Sequence, residues 1–265
     1  MTTAQGDVLE KIGRIGHAAK SVIYLAVGLL SANAALGGGK ARDSRDVLRT
    51  IVEQPFGKIL LMVLLGGIVC YVLWRAIRVI APTGERGAKA WLVRVGALIS
   101  AAVYTGLGIA AYHVLRGSGS TGGGGDSSAR GWTAQLMSAP GGKWLVVAAG
   151  IAFGAYAFSQ WRRAWTRSFE RKLALGSLSA DTRQTVTRIS AAGIAARGVA
   201  FCLAGIFLVA AGLQADPSKA RGLSGSLNSL RDQPYGPWLL TIVALGLAGY
   251  GVYCALKARF GRIRE

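Results

Sequence analysis

The side chains in this sequence that could do chemistry are mostly lysine, arginine and tyrosine, set at repeated steps within apolar segments. Three ladders of residues four apart begin and end on glycine: Gly16, Lys20, Tyr24 and Gly28; Gly96, Ser100, Tyr104 and Gly108; Gly193, Arg197, Phe201 and Gly205. Three further tyrosines are each followed, seven residues on, by a basic residue: Tyr71 and Arg78, Tyr156 and Arg163, Tyr250 and Lys257. Cationic side chains that converge in an apolar protein bind anionic groups such as a phosphate or a lipid headgroup.

Two interpretations of the basic residues stay open. Lys20, Arg78, Arg163, Arg197 and Lys257 fall toward one end of their segments, so they can extend to the membrane surface and set the orientation of the chain. If the chain folds into three helical hairpins around one axis, the same residues form a ring at one end of that axis. Such a ring is a candidate site for an anion or a lipid headgroup.

The other polar side chains within the apolar segments are few. Asn33 and His113 occupy equivalent positions, because each follows the last glycine of its own ladder by five residues. They form either hydrogen bonds between helices or the lining of an outward-facing vestibule. The tyrosines likewise either pack between repeats with locally bonded hydroxyls or line a central cavity. These tyrosines are Tyr24, Tyr71, Tyr104, Tyr156 and Tyr250.

No pattern typical of a catalytic, cofactor or metal site is present in the sequence. P-loop, HExxH and GxSxG motifs are absent, and the three cysteines lie in apolar segments without ligand spacing. Every aspartate and glutamate falls in a connector or a tail, which removes the commonest carrier of proton- or sodium-coupled transport. We therefore predict no catalytic residue, no cofactor and no metal, and a protein that is not an enzyme.

Membrane-spanning helices are the elements that would position these residues. Apolar residues make up 52% of the 265 and charged residues only 16%, against about 25% charged residues in soluble domains. A span needs about 20 mostly apolar residues, and six segments of one domain qualify. They are His17–Leu36, Lys58–Ile80, Trp91–Leu115, Lys143–Arg163, Ile189–Leu213 and Pro237–Leu256.

The distribution of positive charge predicts the orientation of these spans. The net charge is +19, and 20 of the 31 lysines and arginines fall on the side that holds both termini. Since such an excess belongs in the cytoplasm, we predict cytoplasmic N- and C-termini in a plasma (inner) membrane. No basic stripe with interleaved aromatic residues follows a polar segment, so nucleic acid is not an expected partner. The first span has signal-peptide features, yet it matches the third and fifth spans, so we expect it to be retained.

The connectors on the opposite side share a second motif, a proline followed by any residue and then glycine. Its three copies are Pro55-Phe-Gly, Pro140-Gly-Gly and Pro234-Tyr-Gly. Apolar residues at helical spacing predict a short amphipathic helix at the interface before each proline. In the first connector Asp43 and Ser44 are the candidate caps, and the helix must end before Pro55. The low-complexity run 117–128 in the second connector is expected to be flexible.

The first ladder, the turn at Gln54–Gly57 and the pair Trp74-Arg75 resemble the bacterial family called domain of unknown function 1206. The resemblance covers about residues 14–258. It implies a six-span membrane protein made of three tandem hairpins, and it brings no established catalytic residues. The departures from the pattern are Ser100, Gly141 and Ser159-Gln160 in the second repeat, and Phe201 and Tyr253-Cys254 in the third.

The sequence thus predicts an all-α domain of three parallel hairpin repeats, at 14–80, 91–164 and 188–258, with pseudo-threefold symmetry. Two functions stay open. The first is a non-catalytic membrane scaffold or interaction protein, which binds anionic lipid headgroups or partner membrane proteins or assembles with itself. The second is a channel or transporter for a small anionic or neutral solute, which would need a wet cavity along the axis.

Overall fold

A computed structural model describes residues 3–37, 41, 44–80, 88–117 and 125–261. Within these ranges the chain is all-α, with no strand and one isolated bridge between Leu173 and Gly261. The helices are α1 (Thr3–Leu36), α2 (Ser44–Val52), α3 (Gly57–Ile80), α4 (Ala88–Leu115), α5 (Gly125–Met137), α6 (Gly142–Trp165), α7 (Ala180–Leu213), α8 (Leu223–Arg231) and α9 (Gly236–Phe260). Short 3-10 turns lie at Glu170–Lys172, Leu175–Ser177 and Pro217–Lys219.

Five helices in the described part are long and apolar enough to cross a membrane: α1, α3, α6, α7 and α9. They confirm five of the six predicted spans as helices of spanning length. The remaining predicted span, Trp91–Leu115, lies within α4. Its apolar stretch over the described residues is the shorter segment Val103–Leu115.

The long helices pack in the order α4–α3–α1–α9–α7–α6, so the first and last long helices of the chain form the central pair. Three of these pairs join different repeats: α3 with α4, α6 with α7, and α9 with α1. Within the described residues α4 and α6, the two helices of the middle repeat, do not pack closely against each other. As far as the described residues show, the bundle is therefore open between these two helices.

The first glycine of a ladder brings the two helices of one hairpin together. A Cβ added at Gly16 would lie 2.6 Å from the Tyr71 Cα. One added at Gly193 would overlap the backbone of Gly249 and Tyr250. Only glycine permits backbones to approach this closely.

The last glycine of a ladder faces the preceding repeat instead. Gly28 of α1 packs against the backbone of Ala248 in α9, and a Cβ at Gly205 of α7 would lie 2.8 Å from the Gly150 carbonyl oxygen of α6. The first and third ladders therefore each join one helix to two neighbours, which is the physical reason for their glycine ends.

A shared turn starts the second helix of each repeat. The amides of Gly57, Gly142 and Gly236 each donate to the carbonyl three residues earlier at 2.8 Å. The residue before each of these glycines has a left-handed backbone: Phe56 (φ 60°), Gly141 (φ 72°) and Tyr235 (φ 61°). A proline followed by a positive φ is the signature of a type II turn.

The three connectors on this side contain α2, α5 and α8, as the sequence predicts, and α2 ends at Val52, ahead of Pro55. Asp43 lies outside the described residues. The expectation of flexibility over 117–128 is wrong for its last part, because α5 begins at Gly125. The Asp126 carboxylate accepts from the amides of Gly222 (2.7 Å) and Gly225 (3.0 Å) at the start of α8. This contact anchors the start of α5, and composition alone does not reveal it.

The fourth connector packs over the opposite end of the bundle. Phe169 is buried with its ring 5.6 Å from that of Tyr253, and the Ala174 amide donates to the Phe260 carbonyl at 2.8 Å. Leu173 and Leu175 are buried beside them. The connector thus forms an ordered cover beneath α7 and α9.

Candidate functional site

Lys20 lies in the middle of the bundle inside a cage of aromatic rings. Its side chain is 6% exposed, and its Nζ lies 5.1 to 5.8 Å from four tyrosine ring centroids. Nζ also donates to the Tyr71 hydroxyl at 3.4 Å. The tyrosines are Tyr24, Tyr71, Tyr104 and Tyr250, from α1, α3, α4 and α9. Desolvated cation–π contacts of this kind stabilise a buried charge that has no carboxylate partner.

Arg197 of α7 occupies the equivalent ladder step and shares two of these rings. Its Cζ lies 4.6 Å from the Tyr250 ring centroid and 5.8 Å from that of Tyr24, and its Nη1 donates to the Tyr250 hydroxyl at 2.8 Å. Tyr156 and Phe201 complete its surroundings at 5.6 and 5.0 Å. The Arg197 Nε is buried and has no hydrogen-bond partner among the described residues.

Two more arginines lie beside the tyrosines, one or two helical turns further along. Arg75 donates from Nε to the Tyr71 hydroxyl and from Nη2 to the Ser100 hydroxyl, both at 3.2 Å. Arg163 donates to the Gln160 Oε1 at 3.0 Å and to the Tyr253 hydroxyl at 3.3 Å.

Lys257 completes this set of cations, with its Nζ 5.8 Å from the Trp74 ring centroid. We name the whole set the cation–tyrosine cluster. It consists of Lys20, Arg75, Arg163, Arg197 and Lys257 with Tyr24, Tyr71, Tyr104, Tyr156, Tyr250 and Tyr253.

The aromatic residues of the cluster pair in a repeating pattern. The tyrosine of one repeat meets the ladder ring of the next in Tyr71–Tyr104 (4.5 Å between centroids) and Tyr156–Phe201 (4.9 Å). Tyr250 then meets Tyr24 of the first repeat at 4.7 Å. The last repeat is thereby joined to the first.

The cluster contains no negative charge from the described part of the chain. The ion pairs among the described residues are Arg14–Glu10 at 2.8 Å and Arg183–Glu170 at 3.8 Å. Neither pair involves a residue of the cluster. The hydroxyl oxygens of Tyr71, Tyr250 and Tyr253 are the acceptors that the cations use instead. Five basic side chains therefore gather where one anionic group would be stabilised by all of them.

Apolar side chains fill the bundle between this cluster and the connectors that contain α2 and α8. Val27, Leu240 and Leu247 are fully buried in one hydrophobic core that also takes in Leu227 of α8 and Leu48 of α2. The cluster is thus separated from the end of the bundle at α2 and α8 by packed side chains.

The structure brings most of the sequence-predicted site residues together. Lys20, Arg163, Arg197 and Lys257 all lie in the cluster with the five predicted tyrosines, whereas the side chain of Arg78 lies outside the described residues. Asn33 and His113 are exposed near the outer helix ends and do not join the tyrosines.

Sequence reasoning missed Arg75, Gln160 and Tyr253 as members of the site or its support. Arg75 and Gln160 each follow a repeated tyrosine by four residues, so they share its helix face, and this spacing was the available signal. Among the described residues no group of three or more histidine, cysteine, aspartate or glutamate side chains is placed to hold a metal ion.

Comparison of the chain with known proteins identifies its family. The family model described as Domain of Unknown Function (DUF1206) matches the chain three times, at residues 15–81, 95–167 and 192–261. The "Uncharacterized protein YxxB" of Bacillus subtilis (strain 168) is 32% identical over 251 residues, which span 94% of this chain and 90% of that protein. No solved structure matches the chain.

Proposed function

The chain belongs to the DUF1206 family of three-repeat proteins, and from that premise we propose that it is a non-catalytic, six-span plasma-membrane protein that binds an anionic group at the cation–tyrosine cluster. The group is a phosphate, carried by a lipid headgroup or by a free solute. The binding would serve a scaffold or interaction role.

The proposed architecture places α4 as the sixth span and both termini in the cytoplasm. The matching of each repeat to the family supports the sixth span, and the 20 to 11 division of basic residues supports the orientation. The three aromatic pairs between consecutive repeats support a pseudo-threefold arrangement about the bilayer normal.

One observation carries the proposed function: five cations from α1, α3, α6, α7 and α9 converge without a described carboxylate. Two unit charges about 10 Å apart repel by roughly 2 kcal/mol at an effective dielectric constant of about 20. A bound anion removes this repulsion, and it also supplies an acceptor for the free Arg197 Nε–H.

Ligand-induced thermal stabilisation of the purified protein in detergent tests this proposal. We expect inorganic phosphate or short-chain phosphatidylglycerol to raise the unfolding temperature, and short-chain phosphatidylcholine to leave it unchanged. Arg197→Gln and Lys20→Gln should weaken the apparent affinity at least tenfold. Arg188→Gln, an exposed arginine on α7, is the matched control. Equal stabilisation of all four proteins would remove the cluster as the binding site.

A transporter for a small anionic or neutral solute is the second candidate. The repeated hairpins and the basic residues at one end favour it. The buried Val27, Leu240 and Leu247 oppose it, because they fill the path from the cluster to the outer surface. Phosphate or chloride flux in vesicles containing the protein, above that of protein-free vesicles and lost in Arg197→Gln, would establish transport in its place.

A further inference from the structure

We infer that a phospholipid enters the cation–tyrosine cluster sideways, through the opening between α4 and α6, with its phosphate beside Arg197 and Arg163 and its acyl chains in the cleft. The inference rests on the proposed function and deepens it, because it names the source of the anionic group. It concerns a single lipid held at a fixed place, distinct from the lipids that surround any membrane protein.

The opening follows from how the helices pack. The bundle runs α4–α3–α1–α9–α7–α6, and its two ends do not close on each other within the described residues. The exposed fractions of the three equivalent tyrosines differ between the repeats. Tyr71 and Tyr250 are 2% and 5% exposed, whereas Tyr156, beside the opening, is 39% exposed. The cluster is therefore reachable at the middle repeat and closed at the other two.

The sequence of the middle repeat explains why the opening lies there. Its ladder has Ser100 where the other repeats have Lys20 and Arg197, so the long cationic side chain is missing on this side.

Two other routes into the cluster, toward α2 and α8 and beneath α7 and α9, are blocked by described side chains. Toward the outer side, Leu240 and Leu247 are fully buried. Toward the inner side, the fourth connector places buried Phe169 against Tyr253. A free ion would need a water-filled route through one of these layers. A lipid needs only the lateral opening.

The depth of the cluster also suits a headgroup. Lys20 lies about 24 Å from the Leu36 end of α1, and Tyr71 about 21 Å from the Gly57 end of α3, at about 1.5 Å per helical residue. The hydrocarbon core is about 30 Å thick. The cluster therefore lies near the leaflet that faces the termini, within reach of a headgroup drawn slightly inward.

Arg197 and Arg163 offer the hydrogen-bond donors that a phosphate needs. Arg197 has a buried Nε–H without a partner among the described residues, beside an Nη1 held by Tyr250. Arg163 is oriented by Gln160 and Tyr253, and Gln160 also donates to the Tyr156 hydroxyl at 2.9 Å. These supports hold both guanidinium groups at the inner end of the opening.

Photo-crosslinking with a phosphatidylglycerol that carries a diazirine on its acyl chain tests the inference. The full-length protein is placed in phosphatidylcholine vesicles containing this probe, illuminated, digested and mapped by mass spectrometry. Adducts at Tyr156, beside the opening, report the cleft. Adducts at Ile151 and Phe158, exposed on the same helix, report surrounding lipid.

We expect the ratio of cleft to surrounding adducts to fall at least tenfold in Arg197→Gln, to recover in Arg197→Lys, and to stay unchanged in Arg188→Gln. Arg163→Gln gives a second reading, in case Arg197→Gln does not fold. A ratio unaffected by Arg197→Gln and Arg163→Gln would overturn lateral entry. If inorganic phosphate still stabilised the wild type, the proposed function would survive with a solute as its ligand. Cross-links from α6 to a second copy of the chain, without cleft lipid, would also overturn it.

Discussion

At the scale of single residues, tyrosine allows this protein to keep several positive charges inside a membrane bundle. A tyrosine presents a ring face to one cation and a hydroxyl oxygen to another. Tyr250 does both, since its ring faces Lys20 and Arg197 and its hydroxyl accepts from Arg197. No carboxylate is needed for this stabilisation, so the net positive charge stays available to a ligand.

Removal of that hydroxyl is expected to destabilise the protein. Tyr250→Phe leaves the ring and deletes the acceptor for Arg197 Nη1, a hydrogen bond to a charged group that contributes about 1.5–3 kcal/mol. The measurement is the unfolding temperature in detergent without added anion. Tyr235→Phe, at an exposed turn, is the control and should change nothing. Equal melting of the two variants would contradict the role given to the hydroxyl.

A member of the cluster can be predicted from the sequence where its residue type recurs at the equivalent position of another repeat, and cannot where it does not. Lys20, Arg197 and the tyrosines recur at fixed steps, so the sequence alone indicates that they converge. Arg75 is replaced by Gln160 and Cys254 in the other repeats, so no repeated charge marks that step. The pairing of Lys20 with four separate rings depends on helix rotation, which a pattern of residue types does not specify.

At the scale of elements, glycines decide where helices start and how closely they pack. The turn before α3, α6 and α9 needs a positive φ at one position, and the three repeats fill it with Phe56, Gly141 and Tyr235. Two of them accept the strained conformation with a side chain present. Gly141 adopts it without cost.

Substitution at that turn should show the strain directly. Gly141→Ala forces a side chain into the left-handed region, at a cost of about 1–2 kcal/mol. Gly131→Ala, in an exposed part of α5 with open space around it, should instead be neutral or stabilising. Unfolding temperatures of the two variants check the difference, and an equal response would be inconsistent with the turn geometry.

The ladder glycines lead to a second contrast. Gly193→Ala would press a methyl group into the backbone of Tyr250, and overpacking of this kind costs about 1–3 kcal/mol. Because Tyr250 also holds Arg197, the variant should weaken phosphate binding as well as stability. Gly106→Ala, also within a long helix but facing open space, is the control. Thermal unfolding with and without phosphate measures both effects.

At the scale of the whole molecule, the internal repeats made the helices predictable from the sequence. The opening at the middle repeat was not predicted. Five spans and three outer helices follow from apolar length and periodicity. The opening between α4 and α6 does not, because it depends on close contacts between these two helices that are missing among the described residues. An absent contact leaves no pattern in the sequence.

The proposed orientation can be tested by cysteine labelling in intact cells. With Cys70, Cys202 and Cys254 replaced by alanine, a cysteine at Ser218 in the third outer connector should react with a membrane-impermeant maleimide. One at Ser177 in the fourth connector should react only after the cells are broken. Both positions are exposed on the protein surface. The reverse result would place the termini outside.

The central pairing of α1 with α9 has a consequence for biogenesis. Lys20 is synthesised in the first helix, but Tyr250, one wall of its cage, emerges from the ribosome in the last. Until then Lys20 in a lone inserted helix lacks this cage, and its charge costs up to about 2.5–3.5 kcal/mol, the value at a helix centre. The newly made α1 therefore crosses the bilayer under strain until synthesis ends, and chains cut short before α9 are natural targets for membrane proteases.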